Sequence, residues 1–178
     1  MSEASVSRLE VKMASGAKRS FKIYGLNLEE KLSNVSNYVI DIADEFTQLS
    51  EFVGQIANIE FKGLEYRTLK ARKFAGVVIE ATRSVTRNNE PFISLRLVSP
   101  MGLLKLSSNS AIYQNQNVVS IIKDVLKRNG LQRTYISSKS TEKRDTVIQY
   151  NENDLSFCER LLSEEGLTYY FNDGKDPL

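Results

Sequence analysis

Residues 144–171 read RDTVIQYNENDLSFCERLLSEEGLTYYF, and the order of elements in this stretch decides the fold class. Thr146-Val147-Ile148-Gln149-Tyr150 is a short β-like run. The polar knot Asn151-Glu152-Asn153-Asp154 offers Asn153 as a helix N-cap and places Asp154 in the first turn, where the helix dipole favours an anion. Leu155, Cys158, Leu161 and Leu162 recur at helical spacing, with Phe157 one turn before Leu161. Gly166 stands where a left-handed C-terminal cap belongs, and Leu167 to Phe171 returns to strand chemistry. The reading is strand, capped amphipathic helix, strand. Glu164 and Glu165 resist it, because they load negative charge onto a helix C-terminus that disfavours it.

Working outward, a second helix has the same punctuation. Asn117 caps it, Val118, Ile121, Ile122 and Val125 form its apolar stripe with Val119 and Leu126 alongside, and Gly130 ends it behind Lys127 and Arg128. Before that point the chain speaks in strands. Leu9, Val11 and Met13 alternate with charged residues, a turn covers residues 14–18, and Phe21 and Ile23 mark a second strand. Residues 26–34 read as either a helical turn or a loop. Tyr38, Ile40 and Ile42 mark a third strand, and residues 56–61 a fourth, after a helical turn near residues 49–53 that Gly54 ends. Residues 63–66 read as a turn or an irregular excursion. From Leu69 to Arg87, Val77, Ile79 and Ala81 share one face and Val78, Glu80 and Thr82 the other. Gly76 suggests a bulge or a close backbone approach. Asn88-Asn89 serves as a turn into Ile93, Leu95 and Leu97. Residues 132–144 are polar and read as a loop. The fold class is therefore mainly β, a barrel with an α/β insertion, α+β overall. The expected domains are a barrel over residues 1–100 and an α/β portion over 101–178 that leads into a truncated second subdomain.

Composition excludes several chemistries. The chain has 178 residues, a net charge of +2, one cysteine and no histidine. Without imidazole, Ser-His-Asp and Cys-His nucleophile pairs are ruled out, and so are zinc sites that use histidine. Cys158 lacks a second thiol to form a disulfide and reads as a small core hydrophobe. Both signs of charge are interspersed, so neither nucleic acid nor a membrane is an expected partner. The first residues carry no basic segment followed by an apolar run, which predicts a protein made in the cytoplasm without a signal peptide. No apolar stretch reaches the ~20 residues of a membrane span.

The sequence offers few candidate sites. Glu152/Asp154 and Glu164/Glu165 are carboxylate pairs of the kind a glycosidase uses, but catalysis needs one carboxyl in an apolar pocket with a raised pKa. Glu164 and Glu165 are either solvated or neutralised by a basic partner across a subunit contact. Residues 62–87 supply such a partner, and Glu164, Glu165, Arg72 and Lys73 are the candidate subunit-interface residues. Tyr150 with Tyr169-Tyr170-Phe171 reads as a stacking platform or the edge of a core. Lys70 to Lys73 reads as a nucleic-acid contact or a solvated strand edge.

Three blocks carry a family resemblance. Phe74-Ala75-Gly76-Val77-Val78 is followed by Leu95-Arg96-Leu97-Val98-Ser99-Pro100 and Leu103-Leu104. Ile112 to Val119 leads into Ile121-Ile122 and Val125-Leu126. Gln149 to Phe157 is followed by Arg160-Leu161-Leu162, Glu164 to Leu167 and Tyr169-Tyr170-Phe171. In this order, over roughly residues 60–172, they resemble the VgrG spike proteins of type VI secretion and the related phage late control D and contractile-tail baseplate hub proteins. The resemblance implies a structural, non-catalytic hub of β-barrel subdomains with an α/β insertion. It also implies a homotrimer whose pseudo-sixfold ring caps a tube of hexameric Hcp or tail-tube protein, beside other baseplate proteins, with no cofactor and no metal. It places the protein in a contractile apparatus that can also export it. Family members continue beyond the third block, so the chain is expected to be an N-terminal or truncated portion. The alternative is a cell-wall-active tail protein, a peptidoglycan hydrolase or carbohydrate binder.

Overall fold

A computed structural model describes residues 8–61, 72–86, 88–131 and 141–171. The chain divides into two compact units, one made of the chain up to Glu30 with Ser36–Ser99, the other of Lys31–Val35 with Pro100–Phe171.

The first unit is a closed barrel. Its strands are β1 (Arg8–Lys12), β2 (Lys18–Glu29), β3 (Asn37–Ile42), β4 (Ile56–Phe61), β5 (Arg72–Val85) and β6 (Pro91–Val98). They run in the order β1-β2-β3-β6-β5-β4, all antiparallel, and the β1–β4 ladder closes the ring. Closure leaves the sheet no free edge, so backbone donors and acceptors are paired around the wall. Alternation then sorts the side chains. Leu9, Val11, Tyr38, Ile40, Ile42, Ile59, Ile93, Leu95 and Leu97 point inward and pack with Phe21, Phe52 and Phe74. Each such aliphatic side chain stabilises the fold by roughly 1.5–3 kcal/mol on burial.

Three local features shape the wall. Gly76 is a close approach: an added Cβ would lie 3.0 Å from the Val98 carbonyl oxygen and 3.2 Å from Leu97 Cβ. The bulge itself falls later, where the β5–β6 register shifts between Val78 and Glu80. That shift corrects the expected faces of β5. Phe74 and Val78 point into the core before it, and Ala81 packs there after it. The β5–β6 hairpin forms as expected, but around a longer turn. Thr86 N–H donates to the Glu90 carbonyl at 2.8 Å, Asn89 N–H donates to Thr86 at 2.9 Å, and Asn89 takes φ +62°. The excursion expected at residues 63–66 lies outside the described residues, as do residues 132–140 of the expected polar loop.

Residues 26–29, ambiguous from sequence, complete β2: Leu26 and Leu28 pair with Ile40 and Tyr38 across the β2–β3 ladder. Beyond β3, the segment 43–54 closes one end of the barrel. It includes the 3-10 turn Leu49–Glu51, and Phe52 inserts fully into the core against Phe21 with ring centroids 5.4 Å apart.

The second unit contains a 3-10 turn (Pro100–Leu106), β7 (Ser108–Asn117), α1 (Val118–Arg128), β8 (Lys143–Asn153) and α2 (Asp154–Glu164). Strands β7 and β8 form a two-stranded antiparallel sheet. The expected helix caps are present: Asn117 and Asn153 each accept a backbone N–H three residues on, at 2.8 Å. Both helices end in the same way. Gly130 and Gly166 take positive φ, while Leu131 and Leu167 N–H reach back to the Leu126 and Leu162 carbonyls at 2.8 Å. This pattern satisfies carbonyls that the helix itself leaves open.

Two expectations fail in this unit and one strand was not foreseen; Lys143 and Arg144, expected in the polar loop, open β8. Leu167–Phe171 is not a strand; it is extended chain whose alternate side chains Leu167, Tyr169 and Phe171 pack on the core without a ladder. Strand β7 was hidden, because SNSAIYQNQN is too polar to show a hydrophobic period.

Candidate functional site

The most concentrated polar chemistry in the described chain lies where the two helices of the second unit meet. Helix α1 ends at Arg128, a cation in the last turn, and helix α2 begins at Asp154, an anion in the first. Each charge complements its own helix dipole. The Arg128 guanidinium donates to Asp154 Oδ1, and the two are ion-paired. Asp154 is fully buried, and a buried charge must be both paired and hydrogen-bonded.

Three elements supply the remaining donors. Gln149 Nε2 on β8 lies 2.7 Å from Asp154 Oδ1, Asn109 Nδ2 on β7 lies 3.0 Å from the same oxygen, and Asn129 Nδ2 lies 2.8 Å from Oδ2. Arg128 also donates to Gln149 Oε1 at 2.9 Å and to the Tyr113 hydroxyl at 3.0 Å. Burial alone pushes the Asp154 carboxyl up. The bonds from Gln149, Arg128, Asn109 and Asn129 outweigh it and hold the group well below the usual carboxylate range. Burial also pushes the Tyr113 phenol up.

This arrangement opposes acid catalysis by the pair Glu152/Asp154. A general acid must keep its proton near neutral pH, and Asp154 is held ionised on every side. Glu152 is taken up by Arg160, at 2.6 Å.

Glu164 and Glu165 at the end of α2 meet Arg144 of β8, which forks between them. One guanidinium nitrogen bonds Glu164 Oε2 and the other lies 2.6 Å from Glu165 Oε1. Arg160 also contacts Glu164, at 3.2 Å. The Glu164 carboxyl is lowered chiefly by its bond from Arg144. The acids that oppose the α2 dipole are therefore countered inside the chain, by Arg144 of β8. Exposed pairs of this kind contribute ~1 kcal/mol or less each. The other two candidate interface residues lie at the start of β5. Lys73 is exposed and stands directly across the ladder from Glu60, and the Arg72 backbone pairs with Phe61.

The aromatic candidates separate into two sets. Tyr169 and Phe171 pack edge to face, 5.8 Å apart, and the Tyr169 hydroxyl donates to Glu159 at 2.7 Å. Tyr150 and Tyr170 are exposed. Cys158 is fully buried, and burial pushes its thiol up to about 12.

Sequence reasoning did not find the cluster around Asp154. The available signal was Gln149. On β8 the apolar face Ile148 and Tyr150 is exposed, at 55% and 80%, while Val147 and Gln149 are buried. A hydrophobic pattern assigns these faces the other way. The strand is turned so that Gln149 reaches Asp154.

Comparison with known proteins places this geometry among contractile-tail components. The family model described as phage tail baseplate hub (GPD) matches residues 29–177. The type VI secretion system spike protein VgrG3 of Vibrio cholerae serotype O1 is 31% identical over 135 residues, covering 74% of this chain and 13% of that protein. The spike protein VgrG1b of Pseudomonas aeruginosa is 27% identical over 145 residues, covering 80% of this chain and 19% of its own length. Among solved structures, the E. coli c3393 protein is described as a type VI secretion component with structural similarity to the T4 bacteriophage tail proteins gp27 and gp5. It aligns with a TM-score of 0.61 at 27% identity, over 82% of this chain and 43% of that one. A tail protein of Neisseria meningitidis MC58 aligns with a TM-score of 0.63 at 13% identity, over 94% of this chain and 49% of that one, and shares the fold. The chain thus spans less than half the length of each of these relatives.

Proposed function

The chain belongs to the phage tail baseplate hub (GPD) family, and from that premise we propose that it is the part of a spike or baseplate hub that adapts a threefold spike to a sixfold tube. It acts as a structural module and not through a reaction. One observation carries the reading: the family match runs from the end of β2 through all of β3–β6 and both helices, so both units share in it. A closed barrel suits the role, since a sheet without free edges can be packed into a ring by its side chains alone.

In this proposal three copies present six similar faces to a ring of Hcp-like or tail-tube subunits, with other baseplate proteins around them. Residues 101–178 lead into a second hub subdomain of a longer protein. Glu164, Glu165, Arg72 and Lys73 contribute to contacts between copies, Glu164 and Glu165 by sharing their charge between Arg144 and a neighbour. The supports are the partial exposure of the Glu164 and Glu165 side chains, 39% and 21%, and the open position of Lys73. Co-sedimentation of the chain with a purified hexameric tube ring tests the reading. Retention at three copies per ring is expected, and no retention at any ratio contradicts it.

A further inference from the structure

Asn129-Gly130 is the single Asn-Gly step in the sequence, and its amide is one of the groups bonded to Asp154. An asparagine before glycine is chemically labile, because no side chain on the second residue shields its backbone nitrogen. The Gly130 nitrogen attacks Asn129 Cγ, and the new C–N bond closes a five-membered succinimide. Nδ2 takes the proton lost from the Gly130 amide and leaves as ammonia. Water then opens the ring at either carbonyl, leaving aspartate or isoaspartate at position 129. The balance is one water in and one ammonia out, with no oxidant or cofactor.

The fold holds these reacting groups apart. Asn129 Nδ2 donates to the Val125 carbonyl at 2.9 Å and to Asp154 Oδ2 at 2.8 Å, which fixes the side chain. Gly130 N–H donates to the Lys127 carbonyl at 3.1 Å, which keeps the proton on the attacking nitrogen. The Asn129 backbone sits at φ −93° and ψ 10°, and ring closure requires ψ to rotate well away from that value. Asn129 N–H bonds to Val125 and Leu126, and the Leu131 N–H bond to Leu126 at 2.8 Å, resist the rotation. Burial gives no help. Asn129 and Gly130 are both exposed, and a Cβ added at Gly130 would meet nothing within 4 Å.

We propose that Asn129 is a spontaneous deamidation site guarded by the Asp154 network, and that its modification makes opening of this helix end irreversible. The product cannot rebuild the native contacts. A carboxylate at 129 has no donor for the Val125 carbonyl or for Asp154, and an oxygen in place of Nδ2 would lie 2.8 Å from Asp154 Oδ2. It would set a second negative charge against a fully buried carboxylate, at a helix C-terminus that disfavours anions. Isoaspartate also lengthens the main chain at the cap. The inference stands on this cluster alone and is independent of the hub reading.

Peptide mapping of the full 178-residue chain, incubated at mildly alkaline pH with and without urea, tests it. In urea, Asn129 is expected to deamidate ahead of every other asparagine. In native buffer it should react at least about tenfold more slowly, the ratio set by an opening cost of roughly 1.4 kcal/mol. Asp154→Ala should raise the native rate about tenfold or more. Asp154→Asn, with its fold checked by circular dichroism, should raise it too. Asn129→Asp, the product made directly, should lower the urea midpoint further than Asn129→Ala, which removes the same donor without adding charge. Four results overturn the inference: no preference for Asn129 in urea, equal native and urea rates, a folded Asp154→Asn chain that reacts like the parent, or equal stability of Asn129→Asp and Asn129→Ala.

Discussion

Gln149 Nε2 donates to Asp154 Oδ1 at 2.7 Å, and both side chains are wholly withdrawn from solvent. That bond explains why β8 buries a glutamine and exposes an isoleucine and a tyrosine. It also joins the sheet of the second unit to the start of α2, at the point where Arg128 brings in the end of α1.

Asp154→Ala should therefore be among the most damaging single substitutions in the second unit. It leaves Arg128, Gln149, Asn109 and Asn129 with donors and no shared acceptor. Removing one partner of a buried pair costs ~3–5 kcal/mol, and the partial exposure of Arg128 reduces that to roughly 2–4 kcal/mol here. Urea unfolding followed by helical circular dichroism checks it; a midpoint within error of the parent would contradict the account.

The same group sets a pH dependence. Its carboxyl is held below the ordinary range when folded, so the unfolded chain binds the proton more readily. Its contribution is complete above the unfolded value of about 3.9 and is lost as pH falls below that, toward the lower folded pKa. Stability should fall as the solution becomes acidic below about pH 4, and Asp154→Asn should flatten that part of the curve. A slope unchanged by the substitution would assign the acid sensitivity to other carboxylates.

Much of this architecture could be read in the chain. Alternating Leu9/Val11, Tyr38/Ile40/Ile42 and Ile93/Leu95/Leu97 announced the barrel, because one buried face leaves a period of two. Asn117, Asn153, Gly130 and Gly166 announced both helices, because caps are local chemistry. Long-range polar pairing was not legible. Nothing near Arg144 in sequence shows that it folds onto Glu164 and Glu165, and nothing near Asn109 shows that it bonds Asp154. The faces of β5 were misassigned past Val78 because a bulge shifts the phase without leaving a turn residue.

Gly76→Ala should destabilise the barrel by about 1–3 kcal/mol. The new methyl would meet the Val98 carbonyl oxygen, and backbone yields less easily than a flexible side chain. Thermal unfolding measures the effect, and an unchanged or raised melting temperature would show that the β5–β6 contact has room the structure does not indicate.

Cys158 should react slowly with an aromatic disulfide reagent in the native chain. It is fully buried, and burial pushes its thiol up to about 12, so the thiolate is scarce at pH 8. Labelling should become rapid in denaturant. Fast native labelling would mean that α2 opens far more readily than its packing allows.

The central claim, a threefold hub module at the end of a sixfold tube, is tested most directly by counting. Quantitative mass spectrometry of the intact contractile apparatus, with the tube subunit as internal standard, gives the copies of this protein per tube. The account predicts three, located at one end; absence from the apparatus, or a number that grows with tube length, would contradict it.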